Sequence, residues 1–329
     1  MSALIHRRLD DLPFLGLAVA LGCGLFFPQW FTSYYAVTGF FLQFIFFTSG
    51  LRIDTQTVLS ELRDFKLFFV VVVLRLIAFP IFVYAVMSQF FPSLVIPLVL
   101  LAAMPAGMTS PLFVDMIRGN VPLSLLLTAG TSLLSVVTLP LMLGLLGGES
   151  LLYDPWTMFR TLFFIMLLPL IIAQCVRSLP FGRLVIHQGR GLTRVGSILA
   201  LWLLIATIAS KHSDALLGSF TSSSIPMIFL IMTMLLLLFH WVSYMVCFWR
   251  SRTDRITVTL SLSYMNFTLA IFLAETLFRD PPVILVVILS MLPWNLGLLL
   301  FQWLVRHNSW TISDKPVSSG GQVFPSGHA

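Results

Sequence analysis

Residues 102–128 read AAMPAGMTSPLFVDMIRGNVPLSLLLT, an apolar run that is interrupted by Pro105, Gly107 and Pro111. Proline has no backbone N–H and its ring clashes with the preceding turn, so a helix through this run should break or unwind. At membrane depth, lipid cannot satisfy the freed backbone groups, and a break survives only where it is packed in protein or lines a watery cavity. We therefore predict that these three residues mark a helix break beside a binding site.

The composition predicts an all-α polytopic membrane protein. Of the 329 residues, 58% are hydrophobic and 10% are charged, whereas a soluble protein carries about a quarter charged residues. The apolar runs are about 20 residues long, which is the length of one membrane-spanning helix, and the alternating pattern of a membrane β-barrel is absent. The three cysteines fall within apolar runs and are predicted to be buried thiols rather than disulfides. The net charge of +6 does not indicate a nucleic-acid partner.

Hydropathy predicts ten spans between a polar N-terminus at 1–12 and a disordered tail at 307–329. The spans are predicted at 13–31, 34–52, 66–88, 94–117, 121–146, 157–177, 193–210, 225–249, 255–278 and 281–305. An even number of spans places both termini on one side. Of the 19 lysines and arginines, fifteen fall on that side, three on the other, and Arg75 lies within a span. The positive-inside rule therefore predicts cytoplasmic termini in a bacterial inner membrane, and a cleaved signal peptide is not expected.

The chain also divides into two halves of five spans, at 13–147 and 156–306. Because five is odd, the second half enters the membrane with the opposite orientation. In both halves the fourth span is interrupted, at residues 104–111 in span four and at residues 261–266 in span nine. Paired interrupted helices at matching positions of inverted repeats indicate the central site of a secondary transporter.

Three polar or helix-breaking residues are predicted to lie at one depth. Counted at 1.5 Å per residue from the nearest cytoplasmic basic residue, Arg75, Asn266 and Pro105 lie about 14, 16 and 20 Å into the membrane. An arginine at the centre of a span costs roughly 2.5 to 3.5 kcal/mol. Arg75 should therefore point inward, either tying helices together through backbone carbonyls or facing a cavity where it meets an anion or replaces a cation.

Other polar residues in the spans have both a structural and a functional interpretation. Ser124 and Thr128 share one face of span five and can join Ser110 in an oxygen-rich pocket for a hard cation, although such hydroxyls are more often packing contacts. His240 can relay protons, but a lone histidine is more often a packed hydrogen-bonding residue. Glu275, near the outer end of span nine, is expected to extend to the interface. No metal-ligand spacing, phosphate-binding glycine loop or catalytic constellation is found, so no cofactor, ATP-driven pumping or catalytic residue is predicted.

The run MPAGMTSPLFVDMIRGNVPLSLLLTAGTSLL at 104–134 resembles the bile acid:sodium symporter family. Members carry Pro-Gly-Gly-x-x-Ser-Asn, then Gly-Asn or Gly-Asp, then Leu-Ser-x-x-x-Thr-x-x-Ser-Thr-Leu. The segments FFTSGLRI, SYMNFTLA and LPWNLG are similar to further family motifs in spans two, nine and ten. The resemblance implies a ten-helix fold of two inverted repeats, with a panel and a core domain, crossing helices at spans four and nine, and transport of organic anions.

This sequence departs from the family pattern at the positions where sodium-coupled members bind cations. There the first cation site uses Ser and Asn of span four, Ser and Thr of span five and Glu of span nine. The matching positions here are Ser110, Pro111, Ser124, Thr128 and Ser261, so the hydroxyls remain while the amide and the carboxylate are gone. The second cation site uses a Gln of span three, whose counterpart is Arg75. A fixed guanidinium can supply the positive charge of a bound sodium, so sodium coupling is expected to be altered or absent.

The sequence therefore predicts a secondary transporter that moves a small amphipathic organic anion by alternating access in the lipid bilayer. The expected substrate contacts are Arg75, Thr109, Ser110, Ser263, Asn266 and Asn295. If cation binding is retained, the expected ligands are Ser110, Ser124, Thr128 and Ser261, and sodium is the possible coupling ion. The alternatives are a sodium-coupled organic anion symporter of the same fold, a membrane receptor that binds without transporting, and an intramembrane enzyme. The substrate, the direction of transport and the oligomeric state stay open.

Overall fold

The computed structural model describes residues 16, 18–62, 65–147, 154–179, 189–219, 225–278 and 280–307, which form helices joined by short turns. No β-strand occurs within these ranges. The all-helical class that the composition predicts is therefore confirmed. The predicted cytoplasmic segment at 1–12 and all but the first residue of the predicted tail at 307–329 lie outside the described residues.

In chain order the helices are α1 (18–26), α2 (Pro28–Arg52), α3 (Thr55–Glu61), α4 (Phe65–Phe90), α5 (Val95–Ala103), α6 (Ser110–Met116), α7 (Val121–Leu146), α8 (Pro155–Ser178), α9 (Arg190–Lys211), α10 (Ser213–Ser219), α11 (Ile225–Val246), α12 (Arg252–Ser263), α13 (Phe267–Phe278) and α14 (Pro281–His307). Seven of the described helices are long and apolar enough to cross a membrane: α2, α4, α7, α8, α9, α11 and α14. The predicted spans four and nine each consist of two shorter helices. The protein is a multi-pass membrane protein.

The boundary between the first two predicted spans differs from the prediction. The sequence suggested a junction near residues 32–33, whereas the structure has it at Phe27. Pro28 then begins α2, and a tighter 3₁₀ segment at Thr32–Val37 continues that helix towards Arg52. Proline suits this position because the first N–H of a helix has no partner within the helix.

Three helices contain a wide π-type turn, at Leu74–Ala78 in α4, Phe163–Leu167 in α8 and Ala274–Phe278 in α13. In α4 and α8 a proline, Pro80 or Pro169, follows the turn by two residues and removes one donor from the regular ladder. The turns in α4 and α13 carry Arg75 and Glu275, two charged residues that are almost completely buried. Such turns are frequent at functional sites.

Helices α1, α2, α8 and α9 pack together and are called here the first group. The Thr48 and Ser197 hydroxyls lie 2.7 Å apart between α2 and α9, and the Gln174 side chain of α8 donates to the α2 backbone at 2.7 Å. Gly24 of α1 lies so close to α9 that an added Cβ would be 2.3 Å from the Ala206 carbonyl oxygen. The first group therefore contains helices from both halves of the chain.

Helices α4 to α7 and α11 to α14 form the second group. Its hydrogen bonds include that from the Trp294 indole of α14 to the Ser263 carbonyl at the end of α12, at 2.6 Å. The Arg255 guanidinium of α12 donates to the Tyr244 carbonyl of α11 at 3.0 Å. Both interrupted spans belong to this group, so the predicted site lies within it.

Candidate functional site

The two interrupted spans meet at their breaks. Helix α5 ends at Ala103 and α6 begins at Ser110, while α12 ends at Ser263 and α13 begins at Phe267. Between these helices the extended residues Ala106 and Met265 form an antiparallel bridge. Each break thus supplies hydrogen-bond partners that the other needs, as a break at membrane depth requires.

The backbone pairing explains why a glycine lies in the first break. The Gly107 N–H donates to the Tyr264 carbonyl at 2.7 Å, and the Asn266 N–H donates to the Pro105 carbonyl at 3.0 Å. A Cβ added to Gly107 would lie 3.0 Å from the Met265 carbonyl oxygen and 3.2 Å from that of Tyr264. A side chain at this position would push the two breaks apart.

Helix α7 holds the first break from a third side. The Ala106 N–H donates to the Thr131 hydroxyl at 3.1 Å, and that hydroxyl donates to the Leu127 carbonyl of its own helix at 2.6 Å. Thr131 was not among the predicted site residues. Its place in the family-like run of span five gave no indication that it serves the backbone of the break rather than a ligand.

Of the predicted substrate contacts, Asn266 is buried and caps a helix. Its side-chain oxygen accepts the Leu269 N–H at 3.1 Å, which satisfies one of the free donors at the start of α13. The capping bond fixes the asparagine at the end of the break.

The predicted hydroxyl residues are buried close to the breaks. The Ser124 and Ser261 hydroxyl oxygens lie 2.9 Å apart between α7 and α12, and the Ser110 hydroxyl donates to the Tyr264 carbonyl at 3.5 Å. The hydroxyls of Thr128 and Ser263 are buried and have no hydrogen-bond partner within the described part of the chain. The structure thus joins α6, α7 and α12 through small neutral polar groups.

Arg75 is completely buried and points into the protein, as both interpretations of this residue require. Its Nη2 lies 3.5 Å from the Leu101 carbonyl oxygen, two residues before the end of α5. Its Nε and Nη1 have no partner among the residues that the structure describes. An arginine with one long hydrogen bond beside a helix break has donors to spare for an anion.

Two predicted substrate contacts are not joined to this cluster by any hydrogen bond that the structure shows for them. Thr109 is exposed and its side chain does not cap α6. Asn295 is half-buried and its amide donates to the Met291 carbonyl of its own helix at 2.6 Å. Its neighbour Trp294, which the sequence analysis left out, is buried and contacts the end of α12 instead. A tryptophan indole at this depth needs an acceptor, and that requirement could have identified it.

His240 and Glu275, two further polar residues of the predicted spans, both have hydrogen-bond partners within the protein. His240 contacts the Leu236 carbonyl through Nδ1 at 2.8 Å and the Tyr264 hydroxyl through Nε2 at 3.2 Å, so both ring nitrogens are occupied. The interfacial position expected for Glu275 is wrong, because the side chain is only 3% exposed. Partners on two other parts of the chain hold it inside.

A small apolar cavity adjoins the second break. It is lined by Val83, Leu98, Leu101, Ala102, Met232, Leu235, Phe239, Met265 and Trp294. Leu101 on α5 supplies the carbonyl that faces Arg75 on α4, so the charged group lies beside one of the helices that line the cavity. The cavity's empty volume of about 200 Å³ is below the roughly 300 Å³ at which typical ligand pockets begin, so it is a narrow apolar space beside the break.

A multi-pass helical protein whose two interrupted helices pair at their breaks has the architecture of a secondary transporter. The model of the SBF-like CPA transporter family matches residues 12–309 of the chain. The chain therefore belongs to this family of membrane transporters, and the resemblance to bile acid:sodium symporters that the sequence indicated is confirmed.

Two relatives show how far the similarity extends. A probable sodium/metabolite cotransporter of the chloroplast from Oryza sativa subsp. japonica is 26% identical over 190 residues, which are 56% of this chain and 44% of that protein. Sodium/bile acid cotransporter 7 of Danio rerio is 24% identical over 281 residues, which are 80% of this chain and 79% of that protein. The match thus spans less than half the rice protein and most of the zebrafish protein.

Proposed function

We propose that the protein is a secondary transporter that carries a small amphipathic organic anion by alternating access, with sodium coupling altered or absent. The observation that supports this most directly is Arg75, a fully buried guanidinium with two donor nitrogens unpartnered in the described structure. A buried charge without a counterion is costly, and a bound anion would neutralise it. The free donors and the positive ends of α6 and α13 would attract the same charge.

The surroundings of Arg75 favour an anion that is also apolar. Phe239, Trp294 and Met265 line the cavity next to the break and present carbon surface. Neutral polar groups at the crossing, such as the Ser263 hydroxyl, can orient a carboxylate or sulfonate without adding charge. The substrate class that fits is a carboxylate or sulfonate on a compact hydrocarbon body.

The residues at the first cation position favour a transporter that does not need sodium there. Ser261 stands where the family pattern has a carboxylate, and its hydroxyl lies 2.9 Å from that of Ser124. A sodium ion between two neutral hydroxyls would have oxygen ligands but no counter-charge, and the Arg75 guanidinium within the same helix group would repel it. We propose that the contact between these two serines takes the place of a bound sodium ion at the first cation position.

The two helix groups are proposed to be the moving parts. We propose ten spans in two inverted five-helix halves, with both termini in the cytoplasm and the protein in a bacterial inner membrane. The first group would rock against the second, which carries the site, and would expose it to one face at a time. The distribution of lysine and arginine supports this orientation.

A sodium-coupled symporter of the same fold is the second candidate. Both relatives carry sodium in their names, and hydroxyls remain at the first cation position. The two candidates differ in a measurable property, which is the dependence of substrate binding and uptake on sodium.

The test has two stages. Purified protein is screened by thermal shift against organic anions, once in sodium chloride and once in choline chloride, and each stabilising anion is then tested for uptake into proteoliposomes. We expect a hit whose stabilisation and uptake are the same in both salts and are lost in Arg75→Gln. The matched control is Arg160→Gln, which removes an exposed arginine and should behave as the wild type. A steep sodium requirement that corresponds to two ions per substrate would contradict the proposal.

A further inference from the structure

A cluster of ionisable groups around Glu275 lies outside the site described above. The Tyr35 hydroxyl donates to Glu275 Oε1 at 2.5 Å and the Lys211 ammonium donates to the same oxygen at 2.6 Å. His212 Nε2 contacts Oε2. The Lys211 ammonium also lies 3.6 Å from the centre of the Tyr35 ring. The buried carboxylate is therefore surrounded by three groups that favour its charged form.

The cluster joins the two helix groups. Tyr35 lies on α2 and Lys211 is the last residue of α9, both in the first group, whereas Glu275 lies on α13 in the second. In the predicted topology, the start of span two and the ends of spans seven and nine all face away from the termini. The cluster is thus at the outer end of the boundary along which the groups would have to separate.

We propose that Glu275 is a proton-binding site that links protonation from the outer face to separation of the two helix groups at that end. This inference rests on the proposed function only in taking the two groups as the moving parts. It concerns a proton rather than the organic anion, and a residue that the family pattern of cation ligands does not include.

The link follows from the partners of the carboxylate. With the groups together, Lys211 and the other two donors stabilise the charged form of Glu275. Separation removes these partners, so the separated form binds a proton more readily than the closed form. By linkage, acidification of the outer face favours separation, and a neutral side chain at this position holds the groups together less well.

His212 strengthens the closed form. Its Nε2 contacts the second carboxylate oxygen and adds a partner for the charged form while the groups are together. Helices α5 and α14, which also pack against α13, contain no titratable residue in the parts that face it, while Asp280 precedes α14 and Asp214 lies on α10. Tyr35, Lys211 and His212 are the groups that contact the carboxylate, and they set the response. Removing His212 should raise the pH at which separation begins.

The experiment measures the distance across the outer end without using substrate. Spin labels are attached at Ser33→Cys, on α2, and Pro282→Cys, on α14, two exposed positions on opposite sides of the boundary. The native cysteines at 23, 175 and 247 are replaced by alanine. Distances are recorded by double electron–electron resonance in nanodiscs from pH 7.5 to about pH 3.

The expected result is a single short distance at pH 7.5 and a longer component that grows as the pH falls below about 4.5, the ordinary pKa of a glutamate, because the separated form binds the proton there while the closed form does not. Glu275→Gln should show the longer component throughout this pH range. The matched control is Glu61→Gln, which neutralises a carboxylate on α3, away from the cluster, and should titrate as the wild type. Equal distances in the wild type at pH 7.5 and about pH 3, or a wild-type distance profile in Glu275→Gln, would overturn the proposal.

A second variant keeps the test decisive if Glu275→Gln is not recovered as folded protein. His212→Gln should shift the midpoint of the wild-type transition to higher pH, and an unchanged or lower midpoint would overturn the proposal. Arg75→Gln distinguishes this inference from the proposed function, because it should abolish anion binding and leave the distance titration unchanged. Uptake without a distance change would refute the outer proton site alone, and a distance change without anion binding would refute the anion carrier alone.

Discussion

Arg75 and Glu275 are both buried charged residues on wide helical turns, yet the protein treats the two charges differently. Glu275 accepts hydrogen bonds from Tyr35 and Lys211 and contacts His212, so its charge is balanced within the chain. Arg75 has one long hydrogen bond to a backbone carbonyl. A balanced buried charge holds parts of a protein together, whereas an unbalanced one is retained at a cost that a ligand can offset. The comparison distinguishes Glu275, which contacts the other helix group, from Arg75, which we propose as an anion-binding position.

The largest expected effect is on anion binding by Arg75→Gln. Removing one partner of a buried charge pair costs about 2 to 5 kcal/mol, so affinity for the anion found in the screen should fall at least about thirtyfold. Isothermal titration calorimetry gives the change, with Arg75→Lys as an intermediate that keeps the charge but loses the forked donor geometry.

The melting temperature of the same variant tests whether the charge of Arg75 is unbalanced in the protein without ligand. Without ligand, Arg75→Gln should unfold at a temperature equal to or higher than the wild type, because it removes a buried charge that has no counterion among the residues that the structure describes. A clear fall in the ligand-free melting temperature, with affinity unchanged, would identify Arg75 as a structural tie between helices.

Glu275→Gln should change stability in the opposite direction. The variant leaves Lys211 without its carboxylate, and since that lysine is about one-third exposed, solvent screens part of the loss. We expect a decrease of about 1 to 3 kcal/mol in the free energy of unfolding. Lys211→Met in the Glu275→Gln background should cost little more, because the pair is already broken. Additive losses in the double variant would show that the two residues do not act together.

Gly107→Ala tests whether the paired breaks require close backbone contact. The added Cβ would lie 3.0 Å from a carbonyl oxygen of the second break, and overpacking of this kind costs about 1 to 3 kcal/mol. Gly22→Ala is the control, because a Cβ there has no neighbour within 4 Å. Thermal unfolding should show a loss for Gly107→Ala and no loss for Gly22→Ala.

The sequence predicted those features that follow from local chemistry. Prolines and a glycine in an apolar run predicted the interruption of span four, and the polar stretch at 261–266 predicted that of span nine. The cost of a charge at membrane depth predicted the inward direction of Arg75. Features that depend on distant parts of the chain were not predicted. The Glu275 cluster joins residues 35, 211, 212 and 275, and a position near a helix end indicated only an interfacial side chain.

The roles of individual site residues were not predicted for the same reason, because they depend on contacts between distant parts of the chain. Asn266 was expected to contact substrate, and the residue itself does not show that its oxygen caps α13. Thr131 and Trp294 were not predicted as site residues because their partners, Ala106 and Ser263, become neighbours only when the spans cross. Hydroxyl and amide groups are versatile, so their roles depend on the packing that places acceptors beside them.

The smallest expected effect is at the serine pair between α7 and α12. Each of Ser124→Ala and Ser261→Ala removes one side of a hydroxyl contact, and interhelical hydrogen bonds in membranes average about 0.6 kcal/mol. A double-mutant cycle measured by thermal unfolding should give a coupling energy of about that size, equal in sodium and in choline. If sodium raised the coupling energy, the two hydroxyls would be acting as cation ligands. The serine pair would then be a sodium site like that of the family pattern, and Arg75 would not have replaced the bound cation.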